Sequence, residues 1–351
     1  MRVGVDISKA LPPRDGIGRF TAELVRALTQ AGAAPRLYAL DPGAGGADVD
    51  ACFPGAEVGV DPACDGLDVF HATAWTVPAH YRGPLVFTCY DLTFLSHPDC
   101  HTFDNKVRCL TGLLEARLAG AAIAAVSHAT ARELEARLGV GAAEVRVVHP
   151  AAASAFRPLA AGQARRRVAE RFGVDGPYVL AVGTREPRKN LRRLAAAWSG
   201  LGAELRRRHP LLAAGAEGWM LADGELDGVR RLGFVAEDDL VALYGAASVF
   251  AYPSLAEGFG LPVLEAMACG APVLTSDVSS LPEVAGGAAR LVDPLDVDAL
   301  RDALRGLLED PDERERLRGL GLRRAADLSW AATARRMLEL YREVARLPPG
   351  P

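Results

Sequence analysis

Several features that mark particular classes of protein are scarce in this chain of 351 residues. Aromatic residues make up only 6% of it, whereas 50% is hydrophobic, so Ala, Leu and Val carry most of the apolar content. The net charge of −4 gives no general attraction to nucleic acid or to an anionic membrane. No apolar run approaches the roughly 18 residues that a membrane span needs. The composition instead suits packed helices and short buried strands.

Closely spaced pairs of cysteines are also missing. The six cysteines are scattered and form no Cys-x-x-Cys pair, so we expect reduced thiols in a cytosolic protein. The opening residues, Met-Arg-Val-Gly-Val-Asp-Ile, predict a first strand and not a signal peptide. We therefore expect a cytoplasmic location, with at most a peripheral contact at the inner face of the membrane.

The chain does contain a regular alternation of short apolar runs and amphipathic stretches, which is typical of βαβ units and a parallel, doubly wound sheet. Its length suggests two domains. The segment 151–176, rich in Ala, Pro, Gly and Arg, interrupts the alternation and predicts a linker with a small helix. We therefore predict an α/β protein with two Rossmann-like domains, at 1–160 and 161–328. The predicted strands are 3–7, 37–40, 69–71, 85–90, 121–126, 145–149, 178–182, 211–214, 229–235, 249–252, 272–275 and 290–292.

The segment 254–270, SLAEGFGLPVLEAMACG, carries two glutamates on either side of a glycine-rich bend. Its first part follows a predicted buried strand, and Pro262 is well suited to begin a helix. Glycines in the bend allow a ligand to approach the backbone, and the N–H groups of the helix start can hold an anion. Glu257 on the loop and Glu265 in the helix could each accept hydrogen bonds from sugar hydroxyls. A capping loop with a glutamate that favours the helix dipole is the simpler alternative.

A second polar cluster, TREPRKN, follows the strand predicted at 178–182. Arg185, Arg188 and Lys189 therefore lie at the carboxyl end of a strand and at the start of a helix. Cations in that position can hold a diphosphate together with the helix dipole. A solvated basic turn is the alternative. Because both clusters follow strands of one domain, we favour a shared site.

These motifs resemble those of a known enzyme family. EGFGLPVLEA resembles the E-x7-E signature of retaining glycosyltransferases of family GT4, which have the GT-B fold, and VGTREPRKN looks like the donor-diphosphate loop of that family. The weaker N-terminal matches GIGRF and DVFHATAW and the C-terminal match LSWAATARRMLELYREV extend the resemblance over essentially the whole chain. It implies two Rossmann-like domains that face each other across a cleft, with a C-terminal helix, 329–351, packing back toward the first domain.

The resemblance assigns roles in the second domain. Glu265 would bind the ribose of the nucleotide and Glu257 the donor sugar, while Lys189 would neutralise the departing diphosphate. Relatives often place an arginine where this chain has Thr184, so Arg188 or Arg185 would take that role. Backbone and apolar contacts complete the implied donor site: the N–H groups of Phe259, Gly260 and Leu261 contact sugar and phosphate, and Phe234 and Val235 hold the nucleobase.

The first domain would bind the acceptor. Gly16 and Gly18, in a loop before a helix predicted at 20–30, would contact the donor phosphate, although a simple helix-start turn is the alternative. His71, at the end of a predicted strand, would contact the reacting sugar, although a lone histidine is more often structural. Relatives often show His-Asp where this chain has Tyr-Asp, and Asp91 would act in acceptor recognition or proton handling.

The sequence predicts neither an essential metal nor a cofactor. Asp-x-Asp, a metal motif in another glycosyltransferase fold, occurs at 48–50 and 296–298. The first lies in a glycine-rich loop, and the second predicts a helix N-cap. We therefore expect no metal site.

The combined prediction is a retaining glycosyltransferase that moves a hexose from a nucleotide diphosphate sugar to an acceptor hydroxyl. The Arg-Lys-Asn form of the loop resembles enzymes that use GDP-mannose. The acceptor would be a glycan, a lipid-linked molecule or a natural product, and no nucleic acid would bind. The alternatives are a GT-B sugar phosphorylase or nucleotide-sugar epimerase, or a catalytically silent partner that binds a nucleotide sugar.

Overall fold

The computed structural model describes residues 1–12, 16–41, 48–218 and 226–346. They form two compact units: Met1–Pro150 together with the chain from Ser329 onward, and Ala151–Leu328. Within the described residues, each unit contains a six-stranded sheet in which all strands are parallel. The predicted α/β architecture with two doubly wound sheets is confirmed. The N-terminal part of the first unit ends at Pro150 and not at residue 160, so 151–160 belongs to the second unit.

Most strands are buried on both faces, as the sequence pattern of short apolar runs requires for parallel sheets. The strand order is β2-β1-β3-β4-β5-β6 in the first unit and β12-β11-β10-β7-β8-β9 in the second. In chain order the strands are β1 (Val3–Asp6), β2 (Arg36–Tyr38), β3 (Val69–Ala72), β4 (Leu85–Cys89), β5 (Ala122–Ala125), β6 (Val145–Val147), β7 (Val179–Val182), β8 (Leu211–Ala214), β9 (Arg230–Gly233), β10 (Val249–Tyr252), β11 (Val273–Ser276) and β12 (Arg290–Val292).

Helices connect and cover these strands. Each unit has its own apolar core, and α14 packs against α1 in the first unit. No helix in the described part of the chain has the length and apolar character that crossing a bilayer requires. The helices are α1 (Gly16–Gln30), α2 (Val49–Cys52), α3 (Thr93–Ser96), α4 (Phe103–Leu118), α5 (His128–Leu138), α6 (Gln163–Phe172), α7 (Leu191–Ser199), α8 (Ala203–Arg208), α9 (Glu237–Ala246), α10 (Leu261–Ala268), α11 (Leu281–Ala285), α12 (Val297–Glu309), α13 (Pro311–Asp327) and α14 (Trp330–Val344).

Both Asp-x-Asp matches lie at helix starts. The carboxylate of Asp296 accepts a hydrogen bond from the N–H of Ala299 and caps α12, as predicted. The carboxylate of Asp48 accepts from the N–H of Ala51 and caps α2 in the same way. This match, predicted to lie in a loop, is therefore also a helix cap. A capping aspartate satisfies a backbone N–H group that has no partner within the helix.

Candidate active site

The site predicted in the second unit lies where two strands distant in the chain become neighbours. β7 and β10 pair in the middle of the sheet, and the order runs outward from them in opposite directions. Ligands of doubly wound sheets bind at such a switch point, beyond the carboxyl ends of the strands. The loops that follow β7 and β10 are joined there, because the N–H of Leu255 donates to the carbonyl of Arg188 at 2.8 Å.

Glu257 is the centre of the cluster formed by these loops. Its Oε1 atom accepts from Nζ of Lys189 at 2.7 Å, from the hydroxyl of Tyr252 at 2.9 Å and from the hydroxyl of Ser254 at 2.5 Å. Its Oε2 atom lies 2.7 Å from Nη1 of Arg188. Both carboxylate oxygens are therefore engaged by side chains of this chain.

Arg188 links Glu257 to a second carboxylate. Its Nη1 atom also donates to the carbonyl of Ala256 at 2.7 Å, and its Nη2 atom contacts the carboxylate of Glu186. Of the two arginines that the sequence left open, Arg188 is thus the one that shares Glu257 with Lys189. Arg185 instead donates a hydrogen bond from Nη2 to Oε1 of Glu217 at 2.6 Å.

Burial and charge shift the ionisation of this cluster. Burial alone would raise the pKa of Glu257, but the charges of Arg188 and Lys189 and the hydrogen bonds from Lys189 and Ser254 lower it to about 2. The pKa of Lys189 is lowered by its burial and by the charge of Arg188, while Glu257 and Glu186 oppose that shift. Glu257 is therefore a carboxylate at neutral pH and holds two cations together at the strand ends.

The glycine bend leads into α10 much as the sequence predicts. The helix begins at Leu261, one residue before Pro262, and its N-cap Gly260 has φ 104°, in the region that favours glycine. A Cβ atom at Gly260 would also lie 2.8 Å from the side chain of Leu281. The hydroxyl of Ser280 donates to the carbonyls of Glu257 and Phe259, at 2.9 and 2.7 Å, and holds the bend in place.

Glu265 is buried within α10, with 4% of its surface exposed. The hydroxyl of Tyr244, on α9, donates to its Oε2 atom at 3.3 Å. This bond offsets part of the cost of burying a carboxylate. The proposed contact of Glu265 with a ribose stays a prediction.

The two residues predicted to hold the nucleobase follow β9. Val235 is buried, whereas the ring of Phe234 is 75% exposed. An aromatic side chain this exposed is unusual in a folded domain, and it leaves a face on which a planar group can stack. Recognition of a base by Phe234 and Val235 stays a prediction.

His71 does not have the surroundings that the sequence led us to expect. It lies within β3, its exposure is 0%, and its ring nitrogens contact the hydroxyls of Tyr341 and Thr88 at 2.6 and 2.7 Å. Burial lowers its pKa to about 3, so the ring is neutral. In this structure His71 joins β3, β4 and α14 inside the first unit. Its contact with a sugar stays a prediction.

The other predicted residues of the first unit lie in local turns. Gly16 and Gly18 belong to the first turn of α1, which begins at residue 16 and not at residue 20. The carboxylate of Asp91 accepts from the N–H and the hydroxyl of Thr93, at 2.9 and 2.7 Å, in a turn that follows β4. Contacts of these residues with a phosphate or an acceptor stay predictions.

The sequence reasoning missed three members of the Glu257 cluster: Tyr252, Ser254 and Glu186. Tyr252 ends a strand that was predicted with its observed bounds, and Ser254 is the first residue of the segment 254–270. Glu186 lies inside the TREPRKN loop, for which the sequence prediction named only the cations. A polar side chain at the end of a buried strand was the available signal.

Comparison with known proteins identifies the family. Residues 163–321 match the family model described as "Glycosyl transferases group 1". The chain is 35% identical over 283 residues to the O-antigen chain mannosyltransferase B of Escherichia coli, which covers 78% of this chain and 74% of that protein. The chain belongs to the glycosyl transferases group 1 family. It is a glycosyltransferase, as the sequence predicted.

Further relatives agree with this glycosyltransferase assignment. The chain is 30% identical over 303 residues to the D-inositol 3-phosphate glycosyltransferase of Thermobispora bispora, covering 79% of this chain and 70% of that protein. It is 32% identical to the mannosyltransferase WbdA of Escherichia coli, of which it spans 35%.

Two solved structures support the GT-B fold. A sucrose-phosphate synthase from Thermosynechococcus elongatus has a TM-score of 0.74 at 21% identity and covers 98% of this chain and 99% of that one. HepE of Anabaena, in complex with UDP and glucose, has a TM-score of 0.77 at 16% identity, with 97% and 99% covered.

Proposed function

We propose that this glycosyltransferase moves mannose from GDP-mannose to a hydroxyl group of a glycan, with retention of the anomeric configuration. The observation that carries the choice of sugar is the 35% identity to a protein named as an O-antigen chain mannosyltransferase. That name also supports a saccharide chain, rather than a natural product, as the acceptor. The form of the PRKN loop is consistent with a guanosine nucleotide.

The Lys189–Arg188 pair would stabilise the leaving group. The bond between the sugar C1 and the diphosphate oxygen breaks, and negative charge grows on the diphosphate. Two cations placed beside it lower the barrier, since one such group contributes roughly 100- to 1,000-fold in turnover. Glu257 supports this role because it holds both cations at the same strand ends.

Retention would follow a front-face path. Both carboxylate oxygens of Glu257 are occupied by Lys189, Arg188 and two hydroxyl groups, which argues against its use as a nucleophile. The acceptor hydroxyl would then attack C1 from the side of the leaving group, and its proton would pass to the departing phosphate oxygen. No metal ion is proposed for this step.

A donor panel tests the proposal. GDP-mannose, UDP-glucose and dTDP-glucose are each supplied with methyl α-mannoside, and the product is examined by NMR. We expect turnover with GDP-mannose and an α-linked disaccharide, and slow donor hydrolysis when no acceptor is present. A β-linked product would overturn retention, preference for another donor would overturn the choice of GDP-mannose, and binding without transfer or hydrolysis would indicate a silent partner.

A further inference from the structure

The helix α4, outside the candidate site, presents an apolar stripe to solvent. Its members follow one another at intervals of three or four residues along the helix: Phe103, Val107, Leu110, Leu114 and Leu118. Four of them are 75, 46, 43 and 80% exposed, and Leu110 is half-buried. At 3.6 residues per turn the stripe spans an arc of roughly 80°. Large exposed apolar patches commonly mark contact with a partner.

The opposite side of α4 already packs on the first unit. The residues buried there are Cys109, Gly112, Leu113 and Ala116. The half-buried Leu110 also packs against this core. Folding of this chain therefore leaves Phe103, Val107, Leu114 and Leu118 of the stripe uncovered. A helix that is apolar on both faces is expected where both are buried.

Charges flank the stripe with opposite signs. Asp104 and Glu115 lie on one edge, and Lys106 and Arg117 lie on the other, as the helical spacing requires. Arg117 donates to the carbonyl of Leu138 at 2.9 Å, which holds its guanidinium near that edge. Arg108 lies beyond the acidic edge, farther from the stripe.

This arrangement of charge favours one kind of partner for the stripe over another. An anionic lipid surface would attract the basic edge and repel the acidic edge, and the chain as a whole carries a net charge of −4. A second copy of the helix, parallel and related by a two-fold axis, places the acidic edge of each copy beside the basic edge of the other. Antiparallel packing would instead bring acidic edges together.

We propose that two copies of this chain form a dimer in which their α4 helices pack in parallel about a two-fold axis, stripe against stripe. Asp104 of each copy then lies beside Lys106 of the other, and Glu115 beside Arg117. Each pair is offset by two residues, or about 3 Å along the helix, within reach of these side chains. A helix of this length is about 24 Å long, so the interface is at the small end of specific interfaces and fits a micromolar dimer.

Sedimentation velocity of the full chain over a micromolar concentration series tests the dimer. Leu114→Asp should raise the dimer Kd by at least ~10-fold, because it places a charge in the middle of an apolar contact. The control is Val60→Asp, since Val60 is 96% exposed and lies outside α4. Circular dichroism establishes that both variants are folded. A wild type that stays monomeric throughout overturns the proposal.

Charge reversal tests the parallel arrangement. Asp104→Lys and Lys106→Glu should each weaken self-association, since both put like charges side by side. A mixture of the two variants should recover dimers, because one contact keeps both native residues and the other joins two reversed charges of opposite sign. Stronger self-association of Asp104→Lys alone would indicate antiparallel helices and contradict the proposal.

Binding to vesicles tests whether a lipid surface, and not a second copy of the chain, covers the stripe. The wild type and Leu114→Asp are sedimented with vesicles of phosphatidylcholine and phosphatidylglycerol. Binding that Leu114→Asp abolishes, by a protein that remains monomeric without vesicles, would show that lipid covers the stripe and would overturn the dimer. We expect wild type and Leu114→Asp not to differ in the amount of protein that sediments with the vesicles.

Discussion

The side-chain nitrogen of Lys189 lies 2.7 Å from Oε1 of Glu257, although the residues are 68 positions apart in the chain. Lys189 belongs to the loop after β7 and Glu257 to the loop after β10, and these strands are neighbours in the sheet. Glu257 also contacts Arg188, so one carboxylate sets the position of both cations. Substitution of Glu257 should therefore affect the proposed binding of the diphosphate as well as that of the sugar.

Removal of the Lys189 charge should slow transfer. We expect Lys189→Met to lower kcat at least ~100-fold, the usual scale for losing one charge-stabilising group. Steady-state kinetics with GDP-mannose measures the effect. Arg185→Met is the matched control, since its partner is the exposed Glu217, and we expect a much smaller loss. Near-normal turnover of Lys189→Met would remove this residue from the mechanism.

The two glutamates should differ in their effects on ligand binding and stability. Glu265→Gln should weaken GDP and GDP-mannose alike, because a charged hydrogen bond to the ribose contributes on the order of 1.5–3 kcal/mol. Glu257→Gln should instead lower the free energy of unfolding by about 3–5 kcal/mol, because Arg188 and Lys189 are largely buried and lose the carboxylate that they share. Calorimetry and chemical denaturation measure these effects. Unchanged GDP affinity in Glu265→Gln would contradict the ribose contact.

Protonation of His71 should destabilise the first unit in acid. Its pKa is about 3 in the folded chain and about 6.5 when exposed, so the unfolded chain binds the extra proton between these values. The stability that neutral His71 provides is complete above pH ~6.5 and falls by about 1.4 kcal/mol per pH unit below it. His71→Asn should cost most stability at neutral pH, and that cost should shrink as the pH falls.

Denaturant unfolding of wild type and His71→Asn at several pH values measures this difference. His80→Asn, at an exposed position, controls for replacing a histidine. A stability difference between wild type and His71→Asn that does not change with pH would show that His71 is not buried in the neutral form.

Transfer should not depend on a divalent metal. Lys189 and Arg188 supply positive charge that Mg²⁺ or Mn²⁺ supplies in metal-dependent transferases, and Asp48 and Asp296 are engaged as helix caps. We expect full activity in excess EDTA, measured with GDP-mannose as donor. Loss of activity that Mn²⁺ or Mg²⁺ restores would contradict the expectation.

The pattern of short apolar runs was enough to predict the two sheets. Every predicted strand is present, and β10 has the predicted bounds, because a buried parallel strand requires a local run of apolar residues that the sequence displays directly. The loops at the carboxyl ends of β7 and β10 follow from those strands, and so does the position of Lys189 and Glu257 in them. Helix starts were less accurate, since α1 begins four residues before the predicted start.

Only the tertiary structure decided which side chains meet. The sequence alone does not distinguish Arg188 from Arg185, because both lie in the same loop. The pairing of β7 with β10 brings Arg188 to Glu257. His71 ends an apolar run and resembled a ligand-binding residue, but Tyr341, 270 positions away, occupies its ring nitrogen. Hydrogen-bond partners depend on contacts between distant segments, whereas strand patterns depend on neighbours in the chain. The sequence therefore determined the sheets and their loops, and the packing of the chain determined the partners of each polar group.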